Sequence, residues 1–122
     1  MVYKKDLDLE IKWQKLLRVL ETSIEKKPKD LNAVLFLIGV QELGKGIREF
    51  SKEEKQDLMH IATCKLLSFE GYYELEGIDQ DGWPHWKKKN DIPKLSLSEQ
   101  ETLLKINAIS YFKDYIDEDN YL

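Results

Sequence analysis

The stretch Ala33-Val34-Leu35-Phe36-Leu37-Ile38-Gly39-Val40 decides the fold. Eight apolar residues are too few to cross a bilayer, which takes about 20. They suit a segment covered on most sides within a folded domain. β-Branched residues are a minority, and apolar positions continue with helical spacing at Leu43, Ile47 and Phe50. The spacing predicts a central helix from about Leu31 to Phe50, with a buried strand over 33–40 as the competing reading. Asp30 is placed to cap it, because a carboxylate accepts from the free amides of a first helical turn. Gly39 allows close helix packing, and Gly44 and Gly46 mark a candidate kink.

Outward from this centre, three more helices are legible. Leu9, Trp13, Leu16, Leu17, Leu20 and Ile24 recur at spacings of three and four, giving an amphipathic helix over about Asp6 to Lys26. Pro28 disfavours helix at the residue before it. Ser51-Lys52-Glu53-Glu54 has the pattern of a capping box and opens a third helix to about Phe69, with Leu58, Ile61, Ala62, Leu66 and Phe69 on its buried side. Tyr72 to Leu75 is read as a further turn of it. Ser96 or Ser98, each three residues before a glutamate, starts a last helix to about Ile116. The acidic end, 117–122, is expected to fray, since Asp117, Glu118 and Asp119 oppose the helix dipole. Residues 77–95 are read as an irregular crossover. The expected fold class is therefore all-α: one domain over 1–122, a bundle of four main helices with a long tryptophan-containing loop between the third and fourth.

The composition sets limits on function. Of 122 residues, 42% are apolar and 34% charged, so a folded domain with a heavily solvated surface is expected. Lysine and arginine number 19 against 23 acidic residues, a net charge of −4. Nucleic-acid binding over the whole surface would call for a basic chain, so it would need a local patch here. The single cysteine, Cys64, has no internal disulfide partner, and Met1 to Glu10 lacks the apolar core of a signal peptide. The expectation is a cytoplasmic protein with no membrane span.

Three constellations carry chemistry. The first is Asp81-Gly82-Trp83-Pro84-His85-Trp86-Lys87-Lys88-Lys89. Indoles bury large area with few rotors and anchor protein partners. Here Trp83, His85 and Trp86 would be the anchors, with Lys87, Lys88 and Lys89 steering an acidic partner. The plainer reading is a lid folded back on the core, and a third is base stacking in a nucleic-acid or ribosome-associated factor. The second constellation is Asp57, His60 and Cys64 at i, i+3 and i+7 on one helix face. Carboxylate, imidazole and thiolate are ligands for a divalent metal, with Glu42 a further oxygen donor. A solvated face with a small buried thiol is the alternative. The third is the Cys64–His60 pair, which lacks apparent oxyanion donors for nucleophilic catalysis. Gly44-Lys45-Gly46 lacks the spacing and the Lys-Ser/Thr ending of a phosphate loop.

At Ile38-Gly39-Val40-Gln41-Glu42-Leu43-Gly44-Lys45-Gly46 and Asp81-Gly82-Trp83-Pro84-His85-Trp86 the chain resembles small uncharacterised all-helical proteins of the Bacteroidetes bacteria, over most of residues 30–112. The resemblance implies a bacterial cytoplasmic protein without assigned chemistry. Together these features lead to the expectation of a non-enzymatic module that binds another protein, in its simplest version a second copy of itself. A metal-binding helical protein is the alternative from a different class.

Overall fold

Short local signals fix where the helices begin. In the computed structural model, which describes residues 2–24, 28–46 and 48–113, the Asp30 carboxylate accepts from the Ala33 amide at 3.0 Å. It opens α2 (Leu31–Leu43), which follows α1 (Val2–Ile24). The Ser51 hydroxyl and the Glu54 carboxylate each accept the other's backbone N–H, and this box opens α3 (Lys52–Ser68). Ser96 and Glu99 repeat the device at α4 (Leu97–Tyr111). Residues 33–40 are helical throughout, as the apolar spacing predicts.

The all-α expectation is overturned. Between α3 and α4 the chain forms β1 (Tyr73–Ile78) and β2 (Pro84–Lys88), an antiparallel pair, so the fold is mixed. Tyr72 to Leu75 does not continue the third helix, and 77–95 is not an irregular crossover. Gly71, at φ +81°, turns the chain out of α3, and Tyr73 begins the first strand. The second helix also stops earlier than expected. Gly44 takes the left-handed conformation at φ 73°, and its amide caps the Val40 carbonyl. The glycine is therefore a terminator and not a kink. Phe50 still reaches the core, but from a non-helical segment. Ile116 and the acidic end at 117–122 lie outside the described residues.

Burial assembles two neighbouring clusters. In the first, Trp13, Leu16, Leu17 and Leu20 of α1 meet Val34, Leu35 and Ile38 of α2, with Ala62 and Leu66 of α3 and Ala108 of α4 closing it. In the second, Val40, Leu43, Phe50 and Leu58 pack together, with Trp83 laid against them. Phe69, expected on the buried side of the third helix, is exposed. α2 and α3 pack tightly at Gly39, where an added Cβ would come within 2.8 Å of Leu58 Cβ and closer still to its carbonyl. Asn107, the buried polar residue of α4, donates its amide to the Leu66 carbonyl at 3.1 Å. That carbonyl lies in the last turn of α3 and also accepts from the Phe69 amide at 3.1 Å.

The hairpin packs against α3 and is tied at its tip to the end of α2, where the Lys45 ammonium donates to the Asp81 carbonyl. No helix among the described residues is long and apolar enough to cross a membrane.

The central position of α2 has a direct test. Ile38→Ala should destabilise by about 2–5 kcal/mol through the cavity it leaves. Gly39→Ala should cost about 1–3 kcal/mol, because the added methyl meets backbone that cannot yield cheaply. Chemical denaturation measures both; a loss below about 0.5 kcal/mol at either position would mean that the α2–α3 contact is not the tight one described.

Candidate functional site

The hairpin owes its shape to one carboxylate. Asp79 Oδ1 accepts from the backbone amides of Asp81 (2.9 Å) and Trp83 (3.0 Å), and His85 Nε2 donates to Oδ2 at 2.8 Å. The Asp79 amide bonds the Trp83 carbonyl, the Gly82 amide bonds the Asp79 carbonyl, and Gly82 sits at φ +87°. An aspartate that caps its own turn in this way is a standard use of the residue. The hydrogen bond from His85, followed by those from the two amides, holds the Asp79 carboxyl below its ordinary range.

Cross-strand pairing then sorts the side chains. Leu75 opposes Trp86 and Ile78 opposes Pro84, while Glu74 opposes Lys87. The register shifts between Leu75 and Gly77, leaving Glu76 as an extra residue on β1. This bulge brings Leu75 and Ile78 to the same face although they are three residues apart. Both are large apolar residues left in solvent, Leu75 49% and Ile78 66% exposed. They line a cleft of about 440 Å³ together with Tyr73, Pro84 and Trp86, which runs along the hairpin toward Lys65 and Lys89. Its volume falls in the range of ligand sites.

The charges around this cleft are mostly matched. Tyr111 donates its hydroxyl to Glu42 Oε2 at 2.6 Å, and Lys65 Nζ lies 3.9 Å from Oε1. Lys87 lies 3.5 Å from Glu74, and Lys88 lies 3.1 Å from Asp91. Among the described residues Lys89 has no carboxylate within ion-pair distance.

A second cleft, of about 310 Å³, opens between α3 and the turn, lined by Asp57, His60, Asp79, Trp83 and His85. Pro84 and Trp86 line both clefts, and the Trp86 indole N–H is buried without a hydrogen-bond partner among the described residues.

The residues singled out from sequence are thus divided. Trp83 is half-buried against the second core cluster, which is the lid position. Trp86 forms part of the exposed face, while His85 is exposed and turned to Asp79. The suggested metal ligands do not converge. Asp57 and His60 face the smaller cleft, and Glu42 lies on the larger one, tied to Tyr111. Cys64 is buried, with Sγ 3.5 Å from His60 Nε2. Among the described residues no three His, Cys, Asp or Glu side chains are arranged to hold a metal ion. Burial pushes the Cys64 thiol up to about 11, so at neutral pH it is protonated and a weak nucleophile. Leu75 and Ile78 were not singled out from sequence, and they are the most exposed apolar residues of the hairpin.

Comparison with known proteins adds no relative. No protein-family model, curated protein or solved structure matches the chain.

Two measurements check this geometry. The Asp79 carboxyl titrates lower in the folded chain than unfolded, so its contribution is complete above the unfolded value of 3.8 and is lost as pH falls through the folded one. The protection of the Asp81 and Trp83 amides, taken relative to the unfolded chain at the same pH, should therefore fall as pH drops below about 4. It should be low at every pH in Asp79→Ala; protection retained in that variant would remove Asp79 from its organising role. Cys64 should react with an aromatic disulfide reagent at neutral pH only as fast as the chain opens. Stoichiometric labelling within seconds in the native state would contradict its burial.

Proposed function

We propose that this protein is a non-enzymatic interaction module that binds another protein through the cleft-side face of its hairpin. One observation carries the reading. Leu75 and Ile78 stand in solvent on the face shared with Pro84 and Trp86, beside an open cleft. Contiguous exposed apolar surface rimmed by charge marks interaction sites more often than it marks ordinary surface. Covering the two aliphatic side chains would contribute about 1–2 kcal/mol each, since each is already partly buried. An indole at the edge of such a patch is a common anchor.

The strand edges themselves are poor templates for a third strand. Proline starts β2, and the bulge at Glu76 interrupts β1. The partner is therefore held by side chains. Of the anchors expected from sequence the reading keeps Trp86 and Lys89. Trp83 serves chiefly to hold the hairpin on the core, and Lys87 and Lys88 are occupied by carboxylates of their own surface. The buried, protonated Cys64 thiol supports a binding role, and a single cysteine with no internal disulfide partner fits a reducing compartment such as the cytoplasm.

The test compares wild-type protein with the double variant Leu75→Asp and Ile78→Asp. Both positions are exposed, so helical circular dichroism and melting should be unchanged. A partner captured from bacterial extract should be retained by wild type and lost, by about tenfold or more, with the variant. Sedimentation of both proteins shows whether that partner is a second copy. Equal retention and equal sedimentation of the two proteins would remove the hairpin face from the function.

A further inference from the structure

We infer that the hairpin cleft captures the free C-terminal carboxylate of a partner polypeptide whose last residues are apolar. This deepens the reading of that face as a protein contact and rests on it.

The electrostatics of the rim lead to the ligand. Three charged lining groups of the cleft are paired: Glu42 with Lys65, aided by the Tyr111 hydroxyl, and Glu74 with Lys87, which lies outside the lining. A partner side chain of either charge would have to compete with these pairs. Lys89 lines the same cleft and, among the described residues, has no carboxylate within ion-pair distance. The uncompensated charge of the cleft is thus one ammonium group. It lies at the base of the hairpin, where the Lys89 amide bonds the Tyr72 carbonyl at 2.8 Å.

The apolar surface lies away from it, toward the turn. From Tyr73 at the base, Leu75 with Trp86 and then Ile78 with Pro84 follow along the strands. At roughly 3.3 Å per residue the face runs about 15 Å, the reach of about five extended residues. An occupant matching this layout carries a single negative charge at one end and an apolar stem behind it. The end of a polypeptide supplies both, because its last residue bears a carboxylate with no counter-charge of its own. Capture of a terminal carboxylate is an established mode of peptide recognition. An internal acidic segment would instead bring several charges against Glu42 and Glu74.

The experiment uses fluorescence polarisation of an N-terminally labelled pentapeptide ending in three leucines, as the free acid and as the amide. The acid should bind wild-type protein about five- to tenfold more tightly than the amide, the scale of one solvent-accessible charge-assisted contact. Lys89→Ala should weaken the acid to the level of the amide and leave the amide unchanged. Lys88→Ala, outside the cleft, should leave the preference intact. Leu75→Asp should abolish binding of both. Equal affinity for acid and amide, a preference that survives Lys89→Ala, or no binding of either peptide overturns carboxylate capture. Those results leave the protein-contact reading in place, because that reading stands or falls with partner retention in the Leu75 and Ile78 double variant. Sodium dodecanoate displacing the peptide at lower concentration than the unlabelled peptide itself would overturn a polypeptide as the occupant.

Discussion

The absence of one side chain sets the arrangement of everything else. At Gly39 the backbone of α2 lies against the Leu58 backbone of α3, closer than any residue with a Cβ would allow. Contact this close fixes both the spacing and the register of the helix pair, because interiors are packed too densely to let one helix slide past the other. The two core clusters form on either side of it, Ile38 with Ala62 and Leu66, and Val40 with Leu58. α4 reads the position of α3 through Asn107 and the Leu66 carbonyl. The hairpin starts immediately beyond the end of α3, so its location follows from the same contact.

The hairpin is held less firmly than the helices. Two strands alone are marginal in water and depend on what they pack against. Here the supports are α3, the Trp83 ring on the second cluster, and the Lys45 tether. A surface supported in this way can adjust its local opening without unfolding the helices, which suits a contact region. Trp86, whose indole N–H is buried without a partner among the described residues, lines both clefts.

The helices were legible because their signals are local. Asp30, the Ser51–Glu54 pair and the Ser96–Glu99 pair each write a helix start in four residues, and the structure uses all three. The strands were not legible for a physical reason. The run Tyr73-Glu74-Leu75-Glu76-Gly77-Ile78 alternates and then loses its phase at the bulge, and the residues of β2, Pro84-His85-Trp86-Lys87-Lys88, are poor strand formers apart from the indole. The turn signal Asp81-Gly82 between two alternating stretches was the clue available. Phe50 shows the same limit differently. Its helical spacing pointed correctly to the core, yet the chain reaches it after Gly44 has ended the helix. For the site, Trp86 and Lys89 could be picked out by type. Leu75 and Ile78 could not, because exposure is a property of what fails to cover a residue.

The bulge at Glu76 has a consequence for how the sequence can change. Two positions three apart point to opposite sides of a regular strand, and they share a side here only because one residue between them goes unpaired. The apolar face is therefore encoded in a count. Lengthening that stretch by a single paired residue, with the bulge kept, would turn Leu75 and Ile78 to opposite sides and divide the patch. A change in chain length could erase this surface where many substitutions would leave it in place.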